Sequence, residues 1–342
     1  MAYTTINKST DYFNTKLWTG TGSSNAITGV GFQPDWVWIK NRSAGEQHRI
    51  HDAVRGTNKS ISSDTSSSQT TTTQDVMSFD SDGFTLGTET AVNASGQNIV
   101  GWNWKANGAG SANSDGSITS TVSVNTTSGF SISTYTGTGS NATVGHGLGV
   151  VPNIVLVKST SNGEHWCMYN SNLGNTSRLL LNLTNAVETS RSEWQSTTPT
   201  SSVFSLDGSD QVNGSGSKTY VAYCFAEKQG FSKFGSYTGS GSTDGTFIYT
   251  GFKPAFVLIK NADFASNWNN FTGKIPGYNQ INDTLQPNLS SAENGTFAFD
   301  MLSNGFKHRS GDVMDRNGDT HIYMAFAEAP LVGTNNVPAN AR

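Results

Sequence analysis

The residues of this chain that could do chemistry are few and scattered. His48 and His51 stand three apart, a spacing that on a helix could aim two metal ligands from one face. Asp312, Asp315, Asn317 and Asp319 are spaced like part of a calcium loop. Gly318 comes too early for the helix–loop–helix form, however, and no Glu closes it. Asp80 and Asp82 would suit an acid/base pair. Gly145, Gly147 and Gly149 surround His146, but no helix start follows to cradle a phosphate. Cys167 and Cys224 share no His partner, and no Gly-x-Ser-x-Gly elbow stands between a strand and a helix.

An internal repeat lets each candidate be tested. Trp18-Thr19-Gly20-Thr21-Gly22 returns as Tyr135-Thr136-Gly137-Thr138-Gly139 and as Tyr237-Thr238-Gly239-Ser240-Gly241. A second anchor, Pro-x-x-Val-x-(Ile/Val)-Lys, runs from Pro34 to Lys40, Pro152 to Lys158 and Pro254 to Lys260. Units of roughly 100 residues are too long for solenoid repeats and fit whole domains. The expected organisation is a first repeat over 1–106, a Gly/Ser/Asn linker over 107–116, repeats over 117–230 and 231–330, and an extended tail over 331–342.

Each unit reads as seven to nine short strands between Gly and Asn turns. The Pro-led strand is apolar on both faces: Trp36 and Trp38 alternate with Val37 and Ile39, and Phe256 and Leu258 with Val257 and Ile259. That pattern describes a central strand covered on both sides. Phe79 to Phe84, Phe204 to Gly208 and Phe299 to Phe306 read as a shared hairpin, and an aromatic strand closes each unit. The expected fold is all-β: three tandem homologous antiparallel β-sandwich domains of jelly-roll type.

Set against the repeat, the chemical candidates become structural. Fourteen residues beyond the anchor Pro, His48 aligns with Trp166 and Trp268, and His51 with Tyr169 and Phe271. Both histidines are therefore expected to be packed rings rather than metal ligands. Asp315 and its neighbours align with Asn93 to Gly96 and Asn213 to Gly216, a hairpin tip. Asp80 and Asp82 precede turns where Asp serves locally. Lys40, Lys158 and Lys260 are expected to blunt a strand end or snorkel over the aromatic layer. Most of the tryptophans are expected in the core, with Trp194, in a polar loop, as the exposed exception. No catalytic, cofactor-binding or metal residue is assigned, and no cofactor is expected.

Composition narrows the function. Charged residues make up 13%, against about 25% in an average soluble protein, and the net charge is −4. Nucleic-acid binding lacks an electrostatic footprint. No apolar run reaches the ~18 residues of a membrane span. No signal peptide is read at the N-terminus, and the two cysteines are read as free small hydrophobes of a chain assembled in a reducing cytoplasm.

The stretches Tyr12 to Lys40, Met77 to Gly87, Asn98 to Ala106, Tyr220 to Tyr237 and the ending from Phe326 resemble an uncharacterised repeat-domain family of structural proteins in tailed bacteriophages, especially those of marine bacteria. The resemblance implies a non-enzymatic virion component, a tail fibre or other surface appendage. Its implied partners are other virion proteins, copies of itself in a trimer or symmetric ring, and a host-surface glycan or protein. Capsid decoration and a carbohydrate-binding adhesin are the alternatives. The polar middle loops are the expected place for target contact, and the tail from Leu331 a docking arm.

Overall fold

The computed structural model describes residues 3–328 and is almost entirely antiparallel β-structure. The tail beginning at Leu331 lies outside the described residues. Each of the three segments contributes one main sheet of the same order. In the first, Phe13–Thr19 pairs with Asn98–Trp104, which pairs with Trp36–Asn41, which pairs with Arg49–Asp52. Phe130–Thr136, Thr219–Phe225, Ile154–Ser159 and Cys167–Asn170 repeat this order in the second segment. Ser232–Thr238, Thr320–Ala327, Pro254–Asn261 and Asn269–Thr272 repeat it in the third.

The Pro-led strand lies inside its sheet and is buried at every position, as its two-faced apolarity requires. Val37 and Ile39 turn outward onto a small sheet of Asn25–Ile27, Gly83–Leu86 and Val76–Asp80, where Phe84 and Leu86 complete an outer core. Val155 and Val157, and Val257 and Ile259, do the same in their own segments. Each segment is thus a main sheet sandwiched against a small one.

The inner faces of the three main sheets meet one another. Trp36, Trp38, Trp102 and Trp104 join Phe130, Tyr223 and Phe225, and Phe256, Phe326 and Trp268, in a single apolar cluster. Trp36 lies 4.7 Å from Tyr223, Trp104 5.6 Å from Phe256, and Phe225 6.0 Å from Phe326, ring centroid to centroid. Each sheet therefore has two covered faces, one against its own small sheet and one against the other two segments.

Three local expectations are corrected. Asp207-Gly208 turns no hairpin: Val203–Leu206 pairs with Ala142–Gly145 as Gly83–Leu86 pairs with Asn25–Ile27, so the second small sheet has two strands. In the true hairpins the turn residues are Ser81-Asp82 and Ser303-Asn304, and the Gly opens the next strand. A Cβ on Gly83 would sit 1.8 Å from Ile27 O, and on Gly305 2.0 Å from Ile248 O, so glycine there admits the neighbouring strand. Within the expected linker, Ser111–Asn113 is a strand that extends the second main sheet through Ser120–Asn125.

Candidate functional site

The three repeated lysines are buried, contrary to the strand-end reading. Lys40 Nζ donates to the carbonyls of Asn41 (2.8 Å), Glu46 (2.8 Å) and Ser290 (3.0 Å). Lys158 Nζ donates to Ser159 O (2.9 Å), Glu164 O (2.8 Å) and Ser66 O (3.0 Å). Lys260 Nζ donates to Asn261 O (2.7 Å) and Phe264 O (3.3 Å). Each ammonium ties the turn that follows its own strand. In two cases it also ties another segment, the third to the first at Ser290 and the first to the second at Ser66. Burial pushes all three down to about 8, so they remain protonated at neutral pH.

The same cyclic order recurs in the backbone. Two residues beyond each lysine, the carbonyls of Arg42, Thr160 and Ala262 accept from the N–H groups of Glu293, Gln69 and Val187. The middle stretch of each segment thus clasps the next: first to second, second to third, third to first. The polar middle loop of the first segment takes part in this clasp: Ser63 Oγ donates to Pro287 O, and Gln69 N donates to Thr160 O.

His48 belongs to this ring. Trp166 Nε1 donates to Ser62 O (2.8 Å) and Trp268 Nε1 to Leu180 O (3.1 Å), each across a segment join. At the aligned position His48 Nε2 lies 3.2 Å from Gln286 O, across the remaining join. Trp38 Nε1, which can only donate, reaches His48 Nδ1 at 2.9 Å. His48 therefore carries its proton on Nε2 and gives the same bond as its tryptophan counterparts. Burial, followed by the nearby Lys40 charge, holds its pKa well below the usual histidine range.

His51 is also buried, but it does more than pack. Its Nδ1 lies 3.0 Å from Thr57 O and its Nε2 3.3 Å from Asp75 Oδ2, with Arg49 3.6 Å from the same carboxylate. This small polar cluster replaces the apolar packing seen at Phe271, which stacks on Phe299 at 4.2 Å.

The Asp/Asn cluster is a turn clamp. Asn93 Oδ1 accepts from Thr21 N, Asn213 Oδ1 from Thr138 N and Asp315 Oδ1 from Ser240 N, so each fixes one Thr-Gly-x-Gly turn. The two Asn side chains donate onward to Ser23 O and Ser140 O. Asp315 Oδ2 instead accepts from Ser240 Oγ and Thr246 N. Asp312 is bonded by Ser310 and Met314 N, and Asp319 by Asn261 and Arg316. Among the described residues no three His, Cys, Asp or Glu side chains gather as a metal site. Asp80 is held by Ser78 and Thr85, while Asp82 accepts from Gly29 N and Gly31 N, bonds that pull its carboxyl down; the two serve separate turns. His146 donates from Nε2 to Thr200 O (3.1 Å) and accepts at Nδ1 from Leu148 N.

Trp194 is 1% exposed, not a surface platform. It packs on Tyr169, and its Nε1 donates to Ser177 O. Cys167 and Cys224 form no disulfide and are buried, and burial raises both thiols.

With the interior so engaged, the open sites are surface clefts. One, of about 390 Å³, lies between the first and second segments and is lined by threonines with Arg55, Gln69 and Tyr220. Another, of about 360 Å³, lies where Tyr3 meets the third segment, with Glu227, Gln229, Lys233 and Tyr249. Tyr249 is 60% exposed there, and the single carboxylate, Glu227, is held by Lys233 at 2.8 Å and by Phe234 N. Neither lining offers the paired carboxylates that glycoside cleavage uses.

A family model described as a domain of unknown function (DUF7483) matches residues 8–330. The chain belongs to that family. The DUF7483 match runs through all three segments, so the family unit contains the whole set of three main sheets. No curated protein matches the chain. Sequence alone missed the lysine cages and the cyclic clasp. Their only visible signal was the invariance of Lys40, Lys158 and Lys260 among the three copies.

Proposed function

We propose that this member of the DUF7483 family is a non-enzymatic structural protein of a bacteriophage virion, a tail fibre or other surface appendage. The supporting observation is where its reactive side chains go. The buried lysines, His48 and the turn-clamping Asn93, Asn213 and Asp315 spend their hydrogen bonds on closing turns and joining segments. A molecule organised this way suits a rigid building block that is assembled in the host and exposed outside it. The virion assignment itself rests on the sequence resemblance. Identical copies would associate with one another in a trimer or symmetric ring and dock on other virion proteins.

Gold-labelled antibody against the chain, applied to purified particles of a phage that encodes it, tests the reading. Label at the tail or at surface projections is expected. Particles free of label, with the protein found only in the infected cell, would overturn it. Label spread over the capsid would favour a decoration protein instead.

A further inference from the structure

The three joins between segments differ at one point. Two residues beyond the fourth strand of each main sheet stand Val54, Asn172 and Lys274. Lys274 Nζ donates to Thr15 O at 2.6 Å, and Asn172 Nδ2 donates to Phe234 O at 3.4 Å. Thr15 and Phe234 lie on the outermost strands of the first and third main sheets, so the preceding segment caps both edges. At the remaining join Val54 has no side-chain donor, and the strand Phe130–Thr136 is covered instead by Ser120–Asn125. The groove of about 390 Å³ opens beside Val54.

Threonine is the commonest residue in the lining of this groove, and of its hydroxyls those of Thr160 and Thr219 pair with each other at 2.7 Å. Thr121 stands opposite Thr134, and Thr136 opposite Thr219, on neighbouring strands. Among the described residues no side chain or backbone group partners the hydroxyls of Thr121, Thr134 or Thr136. Arg55 is the one formal charge in the lining, and all five of its N–H donors are used. They go to Asp52, Lys59 O, Gln69, Ile50 O and Tyr223. The groove therefore offers free hydroxyls, each both donor and acceptor, between threonine methyls, and no unpaired charge. Its volume falls within the roughly 300–1,000 Å³ of small-molecule sites.

We propose that this groove binds a neutral saccharide, whose hydroxyls would pair with the threonine hydroxyls while its C–H faces rest on the methyls. The proposal rests on the appendage reading above and gives a chemical class to the host-surface glycan that the sequence resemblance implies. Its test does not depend on the protein's place in a particle, because binding is measured on the purified chain.

Calorimetric titration with neutral glucan, mannan and galactan oligosaccharides is the test, with an alginate oligosaccharide as the acidic control. At least one neutral probe should bind saturably and the acidic one should not. The double variant Thr134→Val, Thr136→Val preserves shape and should weaken binding at least tenfold, with an unchanged circular dichroism spectrum and melting temperature. Val54→Trp should block the groove and abolish binding. The proposal fails if no neutral probe binds, if both variants bind as well as the parent, or if the acidic probe binds more tightly. Failure here would leave the particle-labelling result untouched, and unlabelled particles would not alter the titration.

Discussion

At the scale of single residues, the polar groups inside this protein act as fasteners, and their removal should show it. In Lys158→Met the carbonyls of Ser159, Glu164 and Ser66 lose a shared charged donor. A loss of about 3 kcal/mol or more in a urea titration is expected, since each buried group left unpaired costs ~1–3 kcal/mol. An unchanged midpoint would mean that water replaces the ammonium freely. His48→Phe keeps a ring of similar size but strands Trp38 Nε1 and Gln286 O. A loss of about 2–4 kcal/mol is expected in the same titration, by the same reasoning.

At the scale of elements, the Thr-Gly-x-Gly turns are fixed by contact as well as conformation. A Cβ on Gly20, Gly137 or Gly239 would sit 2.1, 2.4 or 2.2 Å from a carbonyl oxygen of the opposing turn. The second glycine of each turn has φ of +70°, +71° or +67°. Gly137→Ala should therefore cost at least the ~1–3 kcal/mol of an overpacked site. Asn213→Asp removes the donor to Ser140 O and sets a carboxylate beside that carbonyl, so it should destabilise the second segment. Asp315 tolerates its charge because Ser240 and Thr246 both donate to it. Amide exchange across Thr136 to Ser140 would report the loosening in Asn213→Asp, and unchanged protection there would refute the clamp.

At the scale of the whole molecule, the shared core predicts a single unfolding event. The inner faces of all three main sheets meet in one cluster, so a segment expressed alone would expose its tryptophans and phenylalanines to water. Calorimetry should show one cooperative transition, and three resolved transitions would mean that the segments fold independently. Stability should also depend on pH in a defined way. Burial lowers His48, His146, His308 and His321, with His308 down to about 4. The unfolded chain takes up these protons first, so the stabilisation is complete above about 6.5 and is lost as pH falls toward 4. On the alkaline side the three lysines release protons from about 8 in the folded state but near 10.5 when unfolded, so stability rises with pH across that interval. Burial raises Cys224 to about 12 from an ordinary value of 9.0, and it raises Tyr220 and Tyr323 to about 12 from 10.0. Those groups stay protonated longer in the folded state; one thiol is outnumbered by the three lysines, so the trend reverses only above about 10, where the tyrosines of the unfolded chain also titrate. Melting temperature against pH should therefore climb from 4 to 7, rise again past 8 and turn down above about 10. A flat profile between 4 and 7 would contradict the neutral buried histidines.

The sequence by itself determined the local structure. The two-residue period of Trp36 to Ile39 and its counterparts marked strands covered on both faces, and the Gly turns marked their ends, because both signals lie within a few residues of chain. The alignment of His48 with Trp166 and Trp268 was legible for the same reason. What covers each inner face was decided only in three dimensions. A lysine at the end of an apolar strand reads as a surface residue until the carbonyls of its own turn, and those of Ser290 or Ser66, close around it. Trp194 reads as exposed from its polar neighbours until Tyr169 packs against it. Ser290, Ser66 and Tyr169 lie tens to hundreds of residues from the side chains they meet, and no period in the sequence encodes such contacts. Local pattern made the strands and turns, while long-range hydrogen bonds and apolar burial joined the three segments through one core.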